Sequence, residues 1–228
     1  MNDTKTIPTC IGIILDGNRR WAKERGFPGL VGHRKGFDNV EPVVLAARDM
    51  GIKHVVVYAF STENWNRTKE EVSYLMDIFE KMAGESLTRL TEEGVAIRFA
   101  GQRERFSESL QKAMRRAEEG SPTDPRITLW VCLSYGGRAD ITQAAQKAVE
   151  SGEAITEESL ARHLWTAGMP DPDIIIRTGG EHRISNFLLW QSAYSEFFFP
   201  KTYWPAFTKT DLKKVIEEYS ARERRMGK

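Results

Sequence analysis

The sequence predicts one α/β domain on a mainly parallel sheet with helices on both faces, and three observations predict it. Apolar runs of strand length alternate with segments whose apolar residues recur at helical spacing. Several runs are apolar throughout, as expected of strands covered on both faces. No linker or repeat interrupts the alternation. At 228 residues with 40% hydrophobic content, the chain can bury a sizeable core as a single domain, 1–228.

In chain order, TCIGIIL (9–15), HVVVYAF (54–60), VAIRFA (95–100), ITLWVCLSY (127–135), DIIIRT (173–178) and SEFFF (195–199) read as six strands. Between the first two, Phe37, Val40, Val43, Val44 and Ala47 share a helical face. Val72, Leu75, Met76, Phe79, Ala83 and Leu90 predict a helix over 70–90, and Leu212, Val215, Ile216 and Tyr219 another near the C-terminus. GSPTDPR (120–126) reads as a helix-to-strand connection and SGEAIT (151–156) as a joint between helices.

Lys plus Arg is 33 against Asp plus Glu 32, and a formal charge of +1 argues against a nucleic-acid partner, which needs a broad basic face. Cys10 and Cys132 make neither a disulfide framework nor a zinc site and fit a reducing compartment. MNDTKTIPTC has no signal-peptide pattern, and no run approaches the ~18 apolar residues of a membrane span. The expected location is the cytoplasm.

The unusual residues stand where strands end, the place where open α/β sheets bind ligands. The exits read DGNRRW (16–21), FSTENWNR (60–67), SYGGRAD (134–140) and RTGGEHRISN (177–186), and the last strand begins near Glu196. Gly17 lets the backbone turn closely around a ligand, and helix-opening amides can hold phosphate oxygens. Arg20, Arg67, Arg177 and Arg183 carry planar forks suited to bidentate phosphate contacts. Mg²⁺ takes one or two carboxylates plus phosphate oxygens, and Asp16 and Glu196 are the candidates. Each residue also has an ordinary reading. Asp16 serves equally as a helix N-cap, Gly136–Gly137 and Gly179–Gly180 as turns, His33 as a helix-start residue, and Trp21, Trp65 and Trp204 as packing. Convergence on one edge carries the functional reading. No P-loop, G-x-G-x-x-G, H-E-x-x-H or D-D-x-x-D pattern competes with it.

Together, DGNRRWA, FSTENWNR and RTGGEHRISNFLLWQSAYSEFFF resemble the cis-prenyltransferase family, a likeness running from Ile11 to the closing RERRMG. The resemblance implies a central, mostly parallel six-stranded sheet in a homodimer. It implies condensation of isopentenyl diphosphate onto an allylic diphosphate such as farnesyl diphosphate, with Z double bonds and Mg²⁺ as cofactor. Undecaprenyl diphosphate is the product expected. A short-chain Z-prenyl diphosphate synthase is the alternative, and a non-catalytic partner subunit is opposed by the intact motifs. A lipid product also implies transient membrane contact.

Residue by residue, Asp16 matches the metal-linked aspartate, and Gly17, Asn18, Arg19, Arg20, Trp21 and His33 fall in the allylic-substrate region. Ser61, Thr62, Glu63, Asn64, Trp65 and Arg67 match the segment near the reacting centre. Arg177, Arg183, Ile184 and Ser185 fall in the isopentenyl diphosphate region, Glu196 matches a second metal-linked carboxylate, and Arg225-Met226-Gly227 fits an R-x-G that reaches the partner subunit. Three departures stand out. Arg19 replaces a common glycine, Gly29 stands where many members have a phosphate-contacting arginine, and Ser134 and Ala139 replace an asparagine and a bulkier residue.

Asn64, implied as the proton acceptor, is an amide and a poor base. A role as orienter fits it better, within a Ser61–Asn64–His33 hydrogen-bonded set, with a diphosphate oxygen or a relayed base taking the proton. The growing chain needs an apolar tunnel, for which Tyr74, Leu75, Ile78, Phe79, Ile127 and Leu129 are candidates; ordinary core packing predicts the same periodicity. The absence of an insertion in 70–94 argues against a dolichol-length product.

Overall fold

Six strands pair in the order β3-β4-β2-β1-β5-β6, every neighbouring pair parallel, in a computed structural model that describes residues 6–222. The strands are β1 (Cys10–Ile14), β2 (His54–Ser61), β3 (Val95–Ala100), β4 (Ile127–Tyr135), β5 (Ile174–Arg177) and β6 (Glu196–Phe198). The helices are α1 (Asn18–Glu24), α2 (Gly29–Asp38), α3 (Val40–Asp49), α4 (Lys69–Lys81), α5 (Leu87–Glu92), α6 (Glu108–Glu119), α7 (Gly137–Glu150), α8 (Glu157–His163) and α9 (Lys209–Ser220). All six sequence-read strands exist, within a residue or so at each end. β5 stops short at its start because the Asp173 carboxylate accepts the Thr9 and Cys10 amides, at 2.7 and 3.2 Å.

Alternate residues of each strand point to opposite faces, and two apolar cores result. On one face Ile11, Ile13, Val55, Val57 and Leu129 pack under Val43, Phe79, Leu90, Leu110 and Leu212 from α3 to α6 and α9. On the other, Val56, Tyr58, Cys132 and Ile175 pack with Tyr135, Phe187 and Leu188. Cys10 and Cys132 are buried free thiols, their acidity suppressed by desolvation.

The helix read over 70–90 divides into α4, a π turn over Met82–Ser86, and α5. A π turn accommodates one residue more than an α turn, and Gly84 sits within it. The shift keeps Leu87 and Leu90 on the buried side with Phe79 and Ala83. Such a phase change leaves the spacing of apolar residues nearly intact, so periodicity alone reads one helix.

From β1 the chain moves toward β2, β4 and β3; from β5 it moves the other way, to β6. The exits of β1 and β5, which are sheet neighbours, therefore diverge and leave a crevice beyond their carboxyl ends. α1 and α2 close one side of it. They approach so tightly that a Cβ on Gly32 would lie 2.0 Å from the Asn18 carbonyl oxygen.

Candidate active site

Ile14 pairs with Arg177 across β1 and β5, so Asp16, two residues further on, stands beside the Arg177 side chain. Arg177 is 6% exposed; its Nη2 and Nε donate to Asp16 Oδ2 at 2.8 and 3.2 Å. Its Nη1 donates to the Arg183 carbonyl at 2.6 Å and to Ser185 Oγ at 2.7 Å. Asp16 Oδ1 accepts the Gly17 amide at 2.6 Å and lies 3.3 Å from Arg20 Nη2. Burial pushes the Asp16 carboxyl up, but its bond and charge contact with Arg177, with help from Gly17 and Arg20, outweigh that and hold it below the usual carboxylate value. Arg20 Nη1 also reaches the Gly179 carbonyl and Glu181, both at 3.1 Å.

Two local conformations make this possible. Gly17 has φ +100°, and a Cβ there would stand 2.5 Å from the Tyr203 ring. After Arg183, Ser185, Asn186 and Leu188 all have positive φ, a strained reversal that wraps the chain around the Arg177 guanidinium. Asn186 pins the reversal. Its carbonyl accepts the Gly137 amide at 2.7 Å, its Oδ1 the Arg138 amide at 2.9 Å, and its Nδ2 donates to Glu63 at 2.9 Å. The exits of β2, β4 and β5 are thus tied by one side chain that the sequence reading did not single out.

A second unanticipated residue is Glu71, on α4. It is 14% exposed and faces Arg67 Nη1 at 2.9 Å, His33 Nε2 at 3.2 Å and Arg19 Nη1 at 3.6 Å. Buried within α2 rather than at its start, His33 is held below the ordinary imidazole value by burial and then by the Arg67 charge, against the pull of Glu71. It is neutral near pH 7. The expected Ser61–Asn64–His33 set is therefore divided. Asn64 Oδ1 accepts the Ser61 amide at 3.1 Å, while His33 turns to Glu71.

These groups line two adjoining cavities. The larger, about 530 Å³, is lined by Asp16, Asn18, His33, Ser61, Glu63, Asn64, Arg67, Arg177 and Ser185 and by the apolar Ile14, Leu15, Phe37, Ala59 and Leu75. The second, about 300 Å³, is polar and shares Asp16, Asn18, His33 and Arg67 with the first. Arg19, Arg20, Arg67 and Arg183 face Asp16 and Glu181 in it, an excess of two positive charges. Arg19 reaches this chamber across Gly29: a Cβ at Gly29 would stand 3.4 Å from Arg19 Cγ.

Other expected residues stand elsewhere. Trp21 packs on Phe27 and under Arg25, and Trp65 donates to Ser134 Oγ at 2.8 Å while its ring meets Phe60 edge-on; neither lines a cavity. Thr62 backs Gly136, and Ile184 packs on the second core. Ile127 and Leu129 are filled core, and Tyr74 is half-buried outside both linings. Glu196 opens β6 opposite Ile174, which pairs with Ile11, so it lies at the amino end of the sheet, away from Asp16. There it binds Arg222 at 2.6 Å. Within one chain the two carboxylates do not meet. Arg225-Met226-Gly227 lies outside the described residues.

Among the described residues no three metal-ligating side chains cluster. Asp16 supplies one carboxylate, engaged in this structure by Arg177, Gly17 and Arg20, while the buried Asn18 Oδ1, without a hydrogen-bond partner, packs against Gly36 of α2, where a Cβ would stand 2.3 Å from it. One carboxylate completed by phosphate oxygens is a donor set that fits Mg²⁺.

A basic chamber adjoining a larger, partly apolar one fits an amphiphile with a polyanionic head. Residues 14–227 match the family model described as "Putative undecaprenyl diphosphate synthase", and the chain belongs to this prenyltransferase family. The chain is 46% identical over 226 residues to the isoprenyl transferase of Thermotoga maritima, covering 97% of both chains. It is 44% identical over 229 residues to that of Agrobacterium fabrum, covering 97% of this chain and 93% of the other. Lavandulyl diphosphate synthase from Lavandula x intermedia, solved with dimethylallyl diphosphate, superposes with TM-score 0.93 at 35% identity, over 97% of this chain and 99% of the other. A probable undecaprenyl diphosphate synthase from Campylobacter jejuni gives 0.84 at 28% identity, over 98% of this chain and all of that one.

Proposed function

We propose that this chain condenses isopentenyl diphosphate with an allylic diphosphate such as farnesyl diphosphate, head to tail and with Z geometry. The product proposed is undecaprenyl diphosphate. The observation that carries the reading is the junction of the two cavities at Asp16, Asn18, His33 and Arg67, which joins a cationic chamber to a larger one walled in part by Ile14, Leu15, Phe37, Ala59 and Leu75.

Breaking the allylic C–O bond leaves the electron pair on diphosphate and a delocalised cation on the hydrocarbon. Arg19, Arg20, Arg67 and Arg183 are preorganised where that negative charge develops, and electrostatics of this kind is commonly the largest catalytic contribution. Arg19, lying over Gly29, supplies the contact that an arginine at position 29 makes elsewhere in the family. Asp16 would hold Mg²⁺, which would supply further charge to the diphosphate oxygens. The isopentenyl double bond then attacks the cation, a C–C bond forms, and a proton leaves the adjacent carbon. Asn64 Oδ1 is occupied by the Ser61 amide, so Asn64 orients its segment and a diphosphate oxygen takes the proton.

The working unit proposed is a homodimer in the cytoplasm, releasing its lipid product by transient membrane contact. Among the described residues no helix is long and apolar enough to cross a membrane. Light scattering of the purified protein tests the dimer.

The deciding experiment supplies Mg²⁺, farnesyl or geranyl diphosphate and labelled isopentenyl diphosphate, and resolves the dephosphorylated products beside Asp16→Ala. A ladder ending near eleven isoprene units and lost in the variant supports the proposal. A product of one or a few additions moves it to the short-chain reading, and no condensation with any primer overturns it.

A further inference from the structure

β4 carries one residue more than its neighbour can pair. Phe60 of β2 pairs with Leu133 and Ser61 with Tyr135, which leaves Ser134 between them as a β-bulge. Ser134 is fully buried and has φ +49°, a left-handed conformation that a serine holds only when its surroundings enforce it. Its Oγ accepts the Trp65 indole N–H at 2.8 Å and donates to Gln102 Oε1 at 3.1 Å, and its carbonyl accepts the Gln102 amide at 3.2 Å. Bulges beside active sites re-aim side chains, and the one re-aimed here joins two separate segments.

Gln102 stands in GQRERF (101–106), the stretch that follows β3 and that the substrate site leaves unused. This stretch is seated tightly on β4: a Cβ on Gly101 would stand 2.0 Å from the Leu133 carbonyl oxygen. From it Arg105 lays its guanidinium 4.5 Å over the Trp65 ring, and Phe106 meets the same ring with centroids 5.7 Å apart. Trp65 is thus gripped by its ring and its N–H from outside its own segment. The segment needs the grip. Thr62–Asn66 is one short 3-10 turn with no buried residue, and a turn of that length does not hold itself in water. Yet Ser61, Asn64 and Arg67, on either side of Trp65, line the larger cavity.

We propose that Ser134, Gln102 and Arg105 are positioning residues: they fix the Trp65 indole and so hold the 61–67 segment at the reacting centre. None of the three lines either of the two adjoining cavities, so each acts through Trp65. This rests on the elongation reading and adds the socket that sets the segment in place.

The test is a mutant cycle read in steady-state kcat and in the KM of each substrate, with thermal melting to score folding. Ser134→Ala leaves the indole N–H and Gln102 Oε1 without their shared partner, and kcat is expected to fall about tenfold. The KM of the allylic diphosphate should stay within about twofold, because Arg19, Arg20 and Arg183 stand outside the held segment. Ser134→Asn should recover most of the loss, since an amide supplies an acceptor and a donor as the hydroxyl does, and asparagine tolerates a left-handed backbone. Arg105→Ala, at an exposed residue, should lower kcat about threefold without moving the thermal midpoint. In Trp65→Phe, which has no indole N–H, adding Ser134→Ala should cost nothing further. Unchanged kcat in both Ser134→Ala and Arg105→Ala overturns the proposal. So does a loss in Ser134→Ala that asparagine does not recover, or one that persists in full in the Trp65→Phe background. If Ser134→Ala fails to fold, Gln102→Ala takes its place in the same cycle. Wild-type protein that condenses isopentenyl diphosphate with neither farnesyl nor geranyl diphosphate refutes the elongation reading instead, so the two failures are told apart.

Discussion

Replacing Glu71 with glutamine removes one negative charge from a place where two arginines and the neutral His33 converge, and the structure sets the size of the effect. Arg67 at 2.9 Å and His33 at 3.2 Å are the partners that matter, because Arg19, at 3.6 Å and 64% exposed, is screened by solvent. A hydrogen bond to a charged partner in a part-buried setting contributes about 1.5–3 kcal/mol, and glutamine retains an uncharged acceptor, so a loss of about 2 kcal/mol is expected. If that loss falls on the transition state, kcat drops about 30-fold. The Michaelis constants should not rise, since removing a carboxylate makes the chamber more attractive to a diphosphate in the ground state. Steady-state initial rates with farnesyl diphosphate and labelled isopentenyl diphosphate separate the two parameters. Raised KM with unaltered kcat, or no change in either, would refute the view that Glu71 holds Arg67 and His33 in their working positions.

Gly32→Ala should lower stability by about 2 kcal/mol in denaturant unfolding, because its Cβ meets a backbone oxygen at 2.0 Å. Gly29→Ala, facing only the flexible Arg19 side chain, should stay within about 0.5 kcal/mol, and equal losses at both sites would contradict the packing argument. Stability should fall with acid in two stages of the same sign. The folded state resists protonation of His33, so a penalty begins as pH drops below about 6.5; Asp16, also held low, contributes above about 4 and is lost as pH falls through its lowered folded value. His33→Gln should flatten only the upper stage. Chelation with EDTA should abolish turnover, recoverable with Mg²⁺, and leave the thermal midpoint in place; a falling midpoint would assign the metal a structural role.

The sheet was legible because fully apolar strands such as IIIR and ITLWVCLSY have few other uses, and because the polar residues at their exits converge. Asp16, Arg20, Arg67, Arg177 and Ser185 could be read for that reason. Glu71 could not. It stands in KEEV, where acidic residues at a helix start look like ordinary first-turn charges favoured by the helix dipole, and only the fold brings His33 to it. Asn186 escaped because its importance lies in three partners 48 to 123 residues away or supplied by the backbone. Trp21 and Trp65 were drawn toward the substrate by their motifs, whereas each buries its ring against neighbouring side chains. Glu196 shows the limit of motif proximity: a residue near the site in sequence lies at the other end of a parallel sheet, because β6 starts where β5 starts.

The contacts around Arg177 have a consequence for what the resting enzyme accepts. Its Nε, Nη1 and Nη2 are all engaged by the protein, Arg20 is shared between Asp16 and Glu181, and Arg67 is held by Glu71. These internal partners fix each guanidinium in place before a headgroup arrives, so the cations need no rearrangement to meet it. With little side-chain reorganisation left to make on binding, more of the attraction between these cations and a headgroup appears as affinity.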